Sequence, residues 1–236
     1  MTDYLVMTLE DEQAHASQLP KAMSELIEKS AAYAETLRRD GRLKDRGRFR
    51  PSKEGKRVRR EGGRLAVLDG PFAEEGKTLG GYYWIRANDL DEATSLAAQA
   101  PVLPTDAIEV RPLTKGSIPE DKEAKAGKLF ACGVLGSSKT EEAWIGVMDR
   151  IDEETRGRFP EASFLGGLRL EPPRSGRAAT RGARQASFDG PFLESKEVIG
   201  GLFVVRMRSI DEAVTWAGET AFVVHGTLEI REIWRT

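Results

Sequence analysis

The sequence predicts an α+β protein built as two like halves, on three observations. The tetrapeptide Asp69-Gly70-Pro71-Phe72 returns as Asp189-Gly190-Pro191-Phe192, 120 residues later. The register then holds without a gap over residues 69–113, where Glu74, Gly80, Gly81, Arg86, Asp91, Glu92, Ala93, Ala97, Glu109 and Arg111 meet Glu194, Gly200, Gly201, Arg206, Asp211, Glu212, Ala213, Ala217, Glu229 and Arg231. Within each copy, short apolar runs suited to strands alternate with longer amphipathic stretches suited to helices. A repeat this long is a duplicated domain, not a solenoid unit of about 20 to 50 residues. The domains are expected at 1–118 and 119–236.

Tyr4-Leu5-Val6-Met7-Thr8-Leu9 is a short apolar run closed by Glu10-Asp11-Glu12, as a central strand requires. After Pro20, Met23, Leu26, Ile27, Ala31, Ala34 and Leu37 recur at helical spacing and charged residues take the opposite face, which predicts one helix to about Asp40. Gly41 supplies the stop, because a left-handed closing residue favours glycine. Residues 42–64 are dense in Lys and Arg and broken by Pro51, Gly55 and Gly62-Gly63, which predicts a basic hairpin of short exposed strands and turns. Residues 65–68 re-enter the core, and residues 80–85 form an aromatic-rich strand. Asp89 with Glu92, and Ser209 with Glu212, are capping boxes that open the second helix of each copy. Residues 107–111 close the copy, with Ile108 and Val110 on one face and Glu109 and Arg111 on the other.

The polar stretch 114–127 reads as the linker. The second copy repeats the plan: a strand at 129–134, a helix at 141–156, a basic hairpin through Arg169, Arg174, Arg177, Arg181 and Arg184, a strand at 199–206, a helix at 210–218 and a strand at 228–234. Strand, helix, hairpin strands, strand, helix, strand is the ferredoxin-like arrangement of helices on one face of an antiparallel sheet.

Together, the repeated Asp-Gly-Pro-Phe, the strand Gly80-Gly81-Tyr82-Tyr83, the helix opening Asp91-Glu92-Ala93 and the strand Glu109-Val110-Arg111-Pro112 resemble the YCII-related (DGPF domain) proteins. The pattern occurs twice and spans nearly all of both halves. The resemblance implies two tandem ferredoxin-like domains packed as an intramolecular dimeric α/β barrel, a monomer with internal pseudo-two-fold symmetry in which duplication replaces a partner. It also implies a biochemical role mostly undetermined. The leading expectation is a small-ligand-binding or catalytically altered pseudo-dimer that takes a small anionic or aromatic ligand. The alternatives are an enzyme with lyase-like or dehalogenating chemistry on small aromatic or organic-acid compounds, and an accessory protein of bacterial sigma-factor transcription control.

Composition narrows the partners. A net charge of −2 and a pI near 5.9 leave no global attraction to nucleic acid or to an anionic membrane surface. No run is long and apolar enough to span a bilayer, so a cytoplasmic location is expected. Cys132, the only cysteine, excludes an intrachain disulfide and a cysteine cluster, and reads as core filling. No metal-ligand spacing occurs, and no cofactor is expected.

Six residues are candidates for a ligand site. Asp69 and Asp189 precede Gly-Pro, where a carboxylate either closes a turn through local backbone N–H groups or serves at a pocket mouth. Glu109, Arg111, Glu229 and Arg231 face away from the helices, into the space between the copies. They read either as salt bridges fixing the register of the copies or as arginines holding a ligand carboxylate or phosphate. Phe72 and Phe192 read as plugs that anchor their turns. The resemblance suggests a catalytic His–Asp pair with the histidine on the first helix, but Ser30 takes that place and residues 141–156 hold no histidine. His15, expected in a loop, and His225, just before the last strand, show no partner in the sequence.

Overall fold

The computed structural model describes residues 1–72, 77–118, 127–137, 164–180, 186–189, 197–220 and 222–234. The first half runs β1 (Thr2–Glu10), α1 (Glu12–Ala16), α2 (Pro20–Arg39), β2 (Leu43–Phe49), β3 (Lys56–Glu61), β4 (Arg64–Asp69), β5 (Thr78–Ala87), α3 (Leu90–Ala97) and β6 (Ala107–Ser117). The second runs β7 (Lys128–Ser137), β8 (Phe164–Leu170), β9 (Arg177–Thr180), β10 (Ala186–Asp189), β11 (Glu197–Met207), α4 (Ile210–Glu219), α5 (Phe222–His225) and β12 (Thr227–Trp234). The helix expected over 141–156 lies outside the described residues, as does Phe192.

Eight strands close into a barrel in the order β1-β5-β2-β12-β7-β11-β8-β6, and β6 pairs back onto β1. Each half contributes four neighbouring strands, β6-β1-β5-β2 and β12-β7-β11-β8, all antiparallel. The halves meet at two like joints, where Ile233 lies opposite Phe49 and Leu113 opposite Leu170.

Strand alternation sets what each face buries. Leu5, Met7, Tyr82, Trp84 and Leu113 from the first half meet Leu129, Leu168, Leu202, Val204 and Ile233 from the second in the barrel interior. Each such side chain, fully buried, contributes roughly 1.5–3 kcal/mol, and neither half encloses this interior alone. On the outer faces, Val6, Tyr83, Ile85 and Val110 pack with Ala34, Leu37, Ala93 and Ala97. The second half packs Phe130, Cys132, Phe203, Val205 and Ile230 with Trp216 and Phe222.

The basic segment departs from the sequence expectation. β2 is a barrel strand rather than part of an exposed hairpin, with Gly47 and Phe49 buried. A 3₁₀ turn at Ser52–Glu54 then sends the chain across to the other half, where β3 pairs with β12 and Val58, opposite Leu228, enters the second core. β9 repeats this after the turn Pro173–Ser175, pairing with β6. The physical reason is alternation: in Arg46-Gly47-Arg48-Phe49 the charges occupy one face, leaving the other free to bury. The expected linker is also shorter, since Thr114, Lys115, Gly116 and Ser117 belong to β6, whose stretch from Leu113 to Ser117 pairs with β8 and closes the barrel.

Two repeated features have local causes. A Cβ at Gly81 would lie 2.6 Å from the Gly47 carbonyl oxygen, and one at Gly201 2.5 Å from that of Leu168, so close strand approach demands glycine in both copies. Asp89 and Ser209 accept the N–H groups of Glu92 and Glu212 at 2.8 and 3.2 Å. The two glutamates reach back one residue before the cap, to the N–H groups of Asn88 and Arg208.

Candidate functional site

His15 is not in a loop. It sits on α1, which Asp11 caps by accepting the N–H groups of Gln13 and Ala14. Its Nε2 lies 2.9 Å from Oδ2 of Asp106, just ahead of β6, and Asp106 is 1% exposed. Asp106 is itself fixed by the N–H groups of Asp11 at 3.1 Å and Leu103 at 2.8 Å. With Nε2–H donated to Asp106, the neutral ring keeps Nδ1 as an acceptor. Nδ1 is buried and has no hydrogen-bond partner among the described residues; the Glu10 carboxylate stands 3.8 Å away. Glu10 is in turn 3.4 Å from the Arg48 guanidinium.

Two perturbed groups result. Burial pulls the His15 pKa down, but the bond to Asp106 and the nearby Glu10 carboxylate outweigh it and raise it above 6.5. Burial raises the Glu10 carboxyl against the opposing pull of Arg48 and His15. A raised folded-state pKa contributes stability that is fully present below the unfolded value and lost as pH rises through the folded one. The stability advantage of the parent over His15→Gln is therefore expected to shrink as pH rises above 6.5 and through the raised folded-state value. Urea unfolding at a series of pH values on either side of 6.5 checks it, and an advantage that grows with pH would contradict the pairing.

These groups line a cavity of about 500 Å³ on the α2 side of the first-half sheet. Thr8, Glu10, His15, Arg46, Arg48 and Asp106 give it a polar end, while Leu26, Ile27, Val102 and Tyr83 supply apolar and aromatic wall. Trp234 reaches it from the last strand of the second half, with the Arg50 guanidinium 4.9 Å over its ring. Among the described residues, no group of three or more His, Cys, Asp or Glu is placed to hold a metal.

The sequence candidates fall elsewhere. Asp69 is exposed, pairs with Lys56 and does not line this cavity. The side chain of Asp189 lies outside the described residues. Phe72 is buried under the Arg57 guanidinium. Arg111 is buried and donates to the carbonyls of Glu171 and Ile199 in the other half, with Glu109 at 3.6 Å. Arg231 donates to the Arg50 carbonyl at 2.7 Å, to Glu229 at 3.1 Å and to Glu12 at 3.5 Å, and Glu229 also pairs with Arg57 at 2.9 Å. Both guanidinium groups are thus engaged across the joint between the halves. Cys132 is buried, which pushes its thiol pKa well up. Sequence reasoning missed the His15–Asp106 pair, because the partners lie 91 residues apart and only the closure of β1 against β6 joins them. The one available signal was the dense polar run Glu10-Asp11-Glu12 beside a histidine.

A duplicated α+β chain closing one eight-stranded barrel, with a polar cavity against one half, is the class that fold and site define. A scan of known families matches the YCII-related domain at residues 4–117 and again at 120–236, and the chain belongs to that family, carrying its domain twice. No curated protein matches the chain. No helix among the described residues is long and apolar enough to cross a membrane.

Proposed function

We propose that this YCII-related protein binds a small organic acid in the first-half cavity and exchanges a proton with it through His15. The observation that carries the reading is a buried Nδ1 that makes no hydrogen bond among the described residues, on an imidazole whose other nitrogen is held by Asp106. A buried polar atom without a hydrogen bond calls for an occupant that supplies one. Arg48 offers the acid its charge partner, and the wall formed by Leu26, Ile27 and Tyr83 suits an apolar or aromatic body. A lyase-like proton abstraction is the second reading, favoured because a carboxylate-oriented histidine is a well-placed general base.

The same reading takes domains 1–118 and 119–236 as ferredoxin-like units packed as an intramolecular dimeric α/β barrel. Strand orders β6-β1-β5-β2 and β12-β7-β11-β8 support it. The chain is proposed to work as a cytoplasmic monomer, and Glu109, Arg111, Glu229 and Arg231 to fix the register of the halves.

A thermal-shift screen of aromatic and aliphatic monocarboxylates tests the site. A ligand at a hundred times its Kd stabilises the native state by about 2.7 kcal/mol. Parent protein is expected to gain Tm with at least one acid, and His15→Gln and Arg48→Met to lose most of the gain. A gain that survives both substitutions places the ligand elsewhere, and no gain with any acid defeats the reading.

A further inference from the structure

Among the described residues, the second half does not repeat most of the polar groups of the cavity. Strand register pairs four groups of the site with less polar counterparts, Thr8 with Val134, Glu10 with Gly136, Arg46 with Gly167 and Tyr83 with Phe203, and keeps a fifth, Arg48, as Arg169. Asp106, just ahead of β6, corresponds to Gly226, just ahead of β12. Gly80 confirms how far the two sides have diverged. A Cβ there would meet Cδ of Glu10 at 2.0 Å, whereas one at Gly200 would meet nothing nearer than 3.9 Å among the described residues. With Gly226 in the place of Asp106, the described residues of the second half hold no counterpart of the His15–Asp106 pair.

The route by which the second half reaches that pair runs through α1. A five-residue helix is far too short to hold itself in water, so the position of His15 depends on what anchors its turn. Glu12 is the anchor: its carboxylate accepts from the N–H and the hydroxyl of Ser52 and from the guanidinium of Arg231. The Ser52 hydroxyl also accepts the N–H of Phe72, which ties in the Asp-Gly-Pro-Phe turn. Arg231, 3% exposed along its side chain, is itself pinned by Glu229 and the Arg50 carbonyl. In the second half the counterpart of Ser52 is Pro173, which has neither hydroxyl nor N–H to offer.

We propose that Arg231 of the second half is a positioning residue for His15, acting through Glu12 to hold α1 so that the imidazole meets Asp106. Its counterpart Arg111 provides an internal control, since it is equally buried at the like joint but donates to the Glu171 and Ile199 carbonyls. The proposal rests on His15 as the working group of the site.

The charged groups facing His15 are Glu10 from β1, Arg48 from β2 and Asp106 ahead of β6. NMR titration of the ring protons in the full chain reads them directly, and His225→Gln leaves His15 as the only histidine. In that background Arg231→Lys and Glu12→Gln are expected to lower the His15 midpoint towards its ordinary value, while Arg111→Lys leaves it in place. A midpoint unmoved by Arg231→Lys, or moved equally by Arg111→Lys, overturns the proposal. Should Arg231→Lys not fold, Glu12→Gln at the more exposed end of the same contact decides, and an unmoved midpoint there overturns it. The titration needs no ligand, so a failed acid screen would defeat the binding reading without touching this result.

Discussion

Arg111→Ala is expected to cost about 3–5 kcal/mol of folding stability, the scale of removing one partner from a buried charged contact. Its guanidinium is 2% exposed and reaches from β6 into the second half, donating to the carbonyls of Glu171 and Ile199. Truncation removes those donors from two partly buried carbonyls, and takes one positive charge from beside the Glu109 carboxylate. Because those carbonyls sit where β8 ends and β11 begins, the loss falls on the closure of the barrel. Urea unfolding measures it. A ligand-holding arginine in an open cleft would behave differently: stability would be nearly intact and anion binding abolished, and that result would displace the register-fixing role.

Asp106→Ala is expected to be comparably damaging, at roughly 3–5 kcal/mol, since each buried donor left unsatisfied costs about 1–3 kcal/mol. Asp106 serves three groups at once: the N–H groups of Asp11 and Leu103, and the imidazole of His15. It therefore caps the connection into β6 and orients the histidine with the same carboxylate. Asp106→Asn keeps the shape and one acceptor oxygen, so it is expected to recover part of the stability while removing the charge that helps raise the His15 pKa. If Asp106→Ala unfolds within about 1 kcal/mol of the parent, its backbone bonds are not the anchors described.

The sequence was most legible where a signal was local or was repeated. The helix Pro20–Arg39, the caps at Asp89 and Ser209 and the strands around Gly81 and Gly201 each follow from a pattern within a few residues of itself. The charged faces of β6 and β12 were legible because Ile108 and Val110, and Leu228 and Ile230, alternate with Glu and Arg. What local patterns could not reveal is pairing between the halves. β2 and β3 looked exposed because Lys and Arg dominate them, yet Phe49 and Val58 find partners more than a hundred residues away. His15 was misread for the same reason: a side chain's partner depends on which strand end arrives beside it, and Asp106 arrives through the β1–β6 ladder.

The exchanged pairing of β3 with β12 and β9 with β6 has a consequence for biogenesis. When the first half leaves the ribosome, β2 and the far end of β6 are open edges, and Leu5, Met7, Tyr82, Trp84 and Leu113 face nothing. At about 5–20 residues per second the remaining half takes roughly 6–24 s to emerge, long compared with collapse of the first. During that interval another nascent first half offers the same two edges in the same geometry. Neighbouring chains on one message could then trade halves, and the fraction trapped as exchanged dimers would rise with expression rate and fall when translation is slowed.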